Sequence, residues 1–135
     1  MSAFRDTAHA ADVLGGFFRM ECQTDDRIFA GSGIVVAYHL EDPELRIVLD
    51  ARKTPEPGSA YLVYVNDPAA PEPTVSFKMS ADDFDRLYTG ATTAMSLMAE
   101  RKTKSWGDVA SGMRLLPALM RSIPHYKEYR KTHGG

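Results

Sequence analysis

With 135 residues, 44% of them apolar and 25% charged, the chain has the size and balance of one soluble domain. Its net charge of −2 excludes the strongly basic footprint usual for a nucleic-acid binder, and no apolar run reaches bilayer-spanning length. Cys22 is the single cysteine, which excludes an internal disulfide and fits a reducing, cytoplasmic setting.

Residues 1–16 carry Asp6 and Asp12 and lack the apolar core of a secretion signal. Residues 6–21 place Val13, Leu14, Phe17 and Phe18 at helical spacing. This predicts a helix, although Gly15 and Gly16 each cost about 1 kcal/mol relative to alanine. The period then drops to two. Ile34, Val36 and Tyr38 alternate with Val35, Ala37 and His39, and Leu45, Ile47 and Leu49 with Arg46, Val48 and Asp50. Asp42-Pro43 supplies the turn between them, because proline fixes its own φ and moves the preceding residue away from helix. The two runs read as a hairpin. A turn-rich segment, Thr54–Ser59, precedes a third strand expected over Ala60–Val65. The segment Asp67–Pro73 holds three prolines, which cannot donate to a sheet ladder, and is expected to be a loop. Thr74–Met79 is a fourth strand with Val75, Phe77 and Met79 on one face.

The second half turns helical. Ser80–Thr89 and Thr92–Arg101 read as two helices, and residues 102–106 as a short polar edge strand. Helical spacing returns after Asp108 through Val109, Met113, Leu116, Leu119, Met120 and Ile123. Pro117 is expected to kink or restart that helix, and Pro124 to end it. The expected fold is a single α+β domain over 1–135, a mostly antiparallel sheet with helices gathered on one face.

Three aspartates, Asp82, Asp83 and Asp85, fall within four positions, and a metal site is the obvious question. Ser80 and Asp83 form an S-x-x-D variant of the capping box, and carboxylates in a first helical turn meet the positive end of its dipole. Asp82 and Asp83 project about 100° apart on a helix, whereas a metal needs convergent oxygens. The aspartates are expected to start a helix. His9, His39, His125 and His133 lack ligand spacing, Gly31-Ser32-Gly33 precedes a strand rather than forming a nucleophile elbow, and Cys22 has no obvious base nearby. No catalytic or metal constellation, and no cofactor, is expected.

The helical half is rich in soft apolar groups: Phe84, Leu87, Tyr88, Met95, Leu97 and Met98, then Met113, Leu116, Leu119, Met120 and Ile123. Methionine is flexible and polarizable, which suits a cavity for ligands of varied shape. The same spacing also suits plain core packing.

The run Thr74–Gly90, TVSFKMSADDFDRLYTG, resembles the signature of the sterol carrier protein type 2 family, in which a strand ending in Met-Ser leads into an acidic-capped helix stopped by glycine. The resemblance continues through Ala94–Met98, through Lys102–Asp108 (similar to the family's basic strand closed by Gly-Asp), and into Met113–Leu116. It covers roughly residues 10–120, and the tail 124–135 has no counterpart. The family's Gly-Lys before the fifth strand is here Arg101-Lys102, and a proline-rich loop replaces its glycine-rich turn.

The resemblance implies a five-stranded sheet covered by helices, with an internal tunnel that binds sterols, fatty acids or fatty acyl-CoA without chemistry of its own. The lipid-contacting set is then the apolar residues named above. Residues 1–99 carry 8 basic and 15 acidic side chains, and residues 100–135 carry 8 and 3. From the basic quarter, Lys102, Lys104 and Arg114, with Arg101 and Arg121, are candidates to meet an anionic head group or an anionic membrane during exchange. Two alternatives stand beside the carrier. One is an accessory subunit presenting substrate to a lipid-modifying enzyme. The other is an acyl-thioester enzyme, for which His39 and Asp50 are the strand candidates. The oligomeric state is open.

Overall fold

A computed structural model describes residues 3–23, 32–52 and 61–133 of the protein; the turn expected at Thr54–Ser59 and the start of the third strand at Ala60 lie outside them. Helix α1 (Thr7–Glu21) opens on Asp6, whose carboxylate accepts the N–H of His9 at 2.8 Å. It buries Val13, Leu14, Phe17 and Phe18. Gly16 has a packing reason. A Cβ there would stand 2.5 Å from the Tyr129 hydroxyl, so only glycine lets this tyrosine seat against α1.

Strands β1 (Val35–Glu41), β2 (Leu45–Asp50), β3 (Leu62–Val65), β4 (Val75–Ser80) and β5 (Lys104–Gly107) form one sheet in the order β3-β2-β1-β4-β5. The hairpin β1–β2 pairs Val36 with Leu49 and Tyr38 with Ile47, the register that the alternating pattern requires. β1 and β4 are parallel; the other neighbours are antiparallel. The parallel pair follows from connectivity, since the chain leaving edge strand β3 must pass β2 and β1 to reach β4. The proline-rich loop makes that crossing, and its Ala70 packs on Val35, Ala37 and Val48 on the sheet face away from the helices. On the other face Val36, Leu40, Leu45, Ile47, Leu49, Val75 and Met79 join the main core.

Helix α2 (Ala81–Thr89) starts as expected: Ser80 Oγ accepts the Asp83 N–H at 3.0 Å, and Gly90 ends the helix at φ 80. Helix α3 is shorter than its pattern, Ala94–Ala99, capped by Thr93. Arg101, standing where the related pattern has glycine, adopts φ 59, a left-handed conformation that glycine tolerates best. After β5, Gly107 has φ 87, and a Cβ there would sit 2.5 Å from the Thr74 carbonyl oxygen.

Helix α4 (Val109–Met113) stops, and α5 (Leu116–Thr132) restarts at Leu116-Pro117, where a missing N–H costs nothing because no helical partner exists. The expectation for Pro124 is corrected. It does not end the helix; α5 continues through it to Thr132. An interior proline costs about 3 kcal/mol or more. Beyond it, however, Tyr126 and Tyr129 are buried, their rings 4.9 and 5.6 Å from that of Phe17. Burying each such ring contributes roughly 1.5–3 kcal/mol. The Tyr126 hydroxyl also donates to Asp85 Oδ1 at 2.7 Å, His125 Nδ1 lies 2.9 Å from Glu21, and the Arg130 guanidinium lies 4.8 Å above the Phe4 ring. These contacts outweigh the proline. Residues 124–132 thus pack as the second half of α5 against α1 and α2.

Candidate functional site

The three aspartates each have a structural partner. Asp82 accepts the Ala3 N–H at 2.7 Å, Asp83 pairs with Arg86 at 3.1 Å, and Asp85 takes the Tyr126 hydroxyl with Arg130 at 3.8 Å. Among the described residues no group of His, Cys, Asp or Glu side chains could hold a metal ion.

A cavity of about 80 Å³ lies between the sheet and the helices. Its floor is the alternating face of the strands: Val36 and Tyr38 from β1, Leu49 from β2, Phe77 and Met79 from β4, and Ser105 from β5. Phe18, Leu87 and Tyr88 form a wall, joined by Tyr61. The roof comes from α3 (Ala94, Leu97, Met98), from α4 and its junction with α5 (Gly112, Met113, Leu115, Leu116), and from α5 itself (Ala118, Leu119, Ser122). Met98 both lines the cavity and is 37% exposed, so one side chain separates the space from solvent beside α3.

Of the apolar residues singled out in the sequence, Leu87, Tyr88, Leu97, Met98, Met113, Leu116 and Leu119 come together on this cavity. Phe84 is fully buried behind it, stacked at 4.5 Å on Tyr88. Met95 and Met120 point to solvent, 65% and 68% exposed, and Ile123 lies against Gly90. The floor residues were absent from that set. The signal for them was present in the strand alternation that puts Val36 with Tyr38, and Phe77 with Met79, on one face.

Of the basic candidates, Arg114 stands between Met113 and Leu115 and donates to Ser111 Oγ at 3.0 Å. Lys102 pairs with Glu100 at 3.6 Å. Lys104 lies between the cavity residues Thr103 and Ser105, and strand alternation turns it to the opposite face. None of the described lining residues carries a charge.

His39 and Asp50 also occupy the opposite face. His39 stacks on Trp106 at 5.3 Å, and burial first, then Arg46 and Lys78, hold it below the usual imidazole range. Asp50 is buried and bound by Arg52 through two contacts of 3.0 and 2.9 Å. Neither is among the described residues that line the cavity, so neither is placed to act on a thioester held there.

Polar groups on the cavity are few. The hydroxyls of Tyr38 and Tyr88 meet at 3.0 Å, and burial raises both above the usual tyrosine range; for Tyr88 the charge and hydrogen bond of Tyr38 add to it. Thr103 Oγ1 is buried and has no hydrogen-bond partner among the described residues. Among the described residues no helix is long and apolar enough to cross a membrane.

Comparison by sequence with curated proteins returns no match. Among solved structures, the apo form of sterol carrier protein 2 from Yarrowia lipolytica is similar at 16% identity and a TM-score of 0.60, covering 82% of this chain and 88% of that one. The sterol carrier protein domain 2 of Helicoverpa armigera is similar at 14% identity and 0.63, covering 83% and 89%. A ubiquinone synthesis protein, UbiJ-SCP2, is similar at 11% identity and 0.57, covering 82% and 95%. At these identities the likeness concerns the fold. A model of the SCP-2 sterol transfer family matches residues 16–120, and the chain belongs to that family.

Proposed function

We propose that this domain binds and transfers a hydrophobic lipid in the cavity between its sheet and its helices, without chemistry of its own. The observation that carries this reading is a mostly apolar cavity, uncharged among its described lining residues, in a member of a lipid-transfer family. The driving force is burial. Each methylene removed from water contributes about 0.8 kcal/mol, so ten supply roughly 8 kcal/mol before ordering costs.

The cavity as it stands is small. An engineered apolar cavity of about 150 Å³ admits benzene, and this one has about 80 Å³. A longer chain therefore enters by displacing part of the roof. The roof suits that role. Helices α3 and α4 have 6 and 5 residues, and helices shorter than about 12 are marginal by themselves and hold position through packing alone.

The cytoplasm is the proposed place of work, in keeping with a single, buried cysteine, Cys22, which rules out an internal disulfide. The second reading, an accessory protein presenting a lipid to an enzyme, is favoured by the likeness to a protein whose own name ties it to ubiquinone synthesis. Native mass spectrometry with lipid extraction of the protein as expressed tests the first reading. A co-purifying hydrophobe is expected; no extractable lipid, together with no binding of a fluorescent fatty acid, refutes it. Co-purification of a lipid-modifying enzyme would shift the balance to the second.

A further inference from the structure

The cavity holds two polar features that its own side chains leave incomplete. Two tyrosine hydroxyls carry two hydrogens, but a single Tyr38–Tyr88 hydrogen bond uses one. The hydroxyl that accepts has its own O–H left over, and neither tyrosine makes another hydrogen bond among the described residues. Around the pair stand Phe18, Phe84 and Phe77, with ring centroids 4.5–6.3 Å from one or other tyrosine, so the surroundings of the spare hydrogen are largely carbon. Thr103 Oγ1 is the second feature, buried on the same cavity with no partner among the described residues. Sheet register joins the two. Tyr38 pairs with Phe77 and Phe77 with Ser105, so Tyr38 and Ser105 flank Phe77 on the floor, and Thr103, just before β5, lines the same cavity. The floor therefore carries a row of hydroxyls beneath an apolar roof.

Leaving a buried donor unsatisfied is unfavourable, and an acceptor that meets it recovers the loss. A carboxylate would be a poor occupant, because none of the described lining residues is a cation and a buried unpaired charge is far more costly than a buried dipole. Building on the carrier reading, we propose that the cavity selects an apolar molecule bearing a neutral acceptor oxygen, such as a ketone, ester or quinone-type carbonyl, anchored by the Tyr38/Tyr88 hydroxyls and Thr103.

The test uses the full chain and three ten-carbon probes, decane, 2-decanone and decanoate, in equilibrium dialysis with gas-chromatographic quantitation. A single Phe substitution leaves one O–H still available, so the informative variant is Tyr38→Phe/Tyr88→Phe, with Thr103→Val as a second in case the first folds poorly. For each variant the 2-decanone-to-decane affinity ratio is expected to fall about fivefold, the worth of one neutral hydrogen bond. Decanoate is expected to bind with its carboxylate outside and to be unaffected. An unchanged ketone-to-decane ratio in both variants overturns the inference while leaving the carrier reading intact. A parallel loss for decanoate shows that the hydroxyls read a carboxylate, and overturns the neutral assignment. If none of the three probes binds the unsubstituted protein, the carrier reading fails and the inference with it.

Discussion

Filling the cavity separates a binding site from an accidental void. Ala118 is 4% exposed, sits on α5 and lines the cavity, and Ala118→Leu adds about three methylene-sized groups in that direction. The stability of the ligand-free protein then responds to the space removed. At about 24 cal/mol per Å³ of void, a cavity of about 80 Å³ costs about 2 kcal/mol, which is the ceiling on the gain. For a chain of this size that is a rise in Tm of roughly 6–10 °C. Imperfect fit subtracts from it, since overpacking a core typically costs about 1–3 kcal/mol. The ligand responds in the opposite direction. A hydrocarbon excluded from the room of three methylenes loses about 2.4 kcal/mol, roughly fiftyfold in Kd. The assay pairs urea denaturation of the ligand-free protein with decane binding by dialysis, for Ala118→Leu and, on the roof, Ala94→Leu. Stability held or raised with decane affinity lost is the expected pattern. A folded variant that keeps the decane Kd within about twofold of the unsubstituted protein refutes the assignment of the cavity as the site. If both variants are destabilised by about 3 kcal/mol, the space was not free.

Further expectations follow from local geometry. Burial first raises the hydroxyl pKa of Tyr38, Tyr88 and Tyr126. Because the folded values exceed the unfolded value near 10, the native state holds more protons above that pH. Their stabilisation is full below about pH 10 and is lost as pH rises beyond it, at up to about 1.4 kcal/mol per pH unit for each tyrosine. Urea titrations from pH 9 to 11.5 should show this decline, shallower in Tyr38→Phe/Tyr88→Phe. Arg101→Gly should raise stability by about 0.5–1 kcal/mol, as relief of φ 59 exceeds the added chain entropy; a fall in Tm would contradict the strain argument. Gly107→Ala should lower stability by more than the 1–2 kcal/mol that φ 87 alone costs, because its Cβ also meets the Thr74 carbonyl. Tyr126→Phe removes the hydroxyl that Asp85 accepts and should lower stability by about 1.5–3 kcal/mol; a neutral result would show that α5 does not depend on it.

Where residue pattern and packing agree, the fold is readable from the chain. The hairpin register, the Ser80 cap and the Gly90 terminator are local devices, set by side chains within a few positions of one another. Pro124 misleads because its rule is local while its compensation is distant. Tyr126 and Tyr129 reach Phe17, more than a hundred residues earlier, and no window along the sequence contains both partners. The parallel β1–β4 pair is hidden for the same reason, since it depends on where the crossing loop delivers the chain. At the site, helical spacing gathered the roof, but it cannot tell a residue that lines the cavity from one that faces water a turn away. Met98 and Met95 are three apart, yet one reaches the cavity and the other is mostly exposed.

The cavity wall and roof differ in how they are held, and that difference bears on how a guest gets in. On the wall side Phe17, Phe18, Phe84, Tyr88 and Tyr126 contact one another edge-on or stacked, and the sheet floor beneath is fixed by its ladder. Close-packed aromatic rings of this kind resist small displacements, because each movement loses contacts on several sides at once. The roof is made of two short helices and the broken α4–α5 junction, carries flexible methionines, and exposes Met98. Expansion for a guest should therefore occur by movement of α3 and α4 away from the sheet, while α1, α2 and the second half of α5 stay in place. On this view the tail is part of the mechanism. By locking Tyr126 and Tyr129 onto Phe17 it holds the wall against which the roof would open under the proposed function.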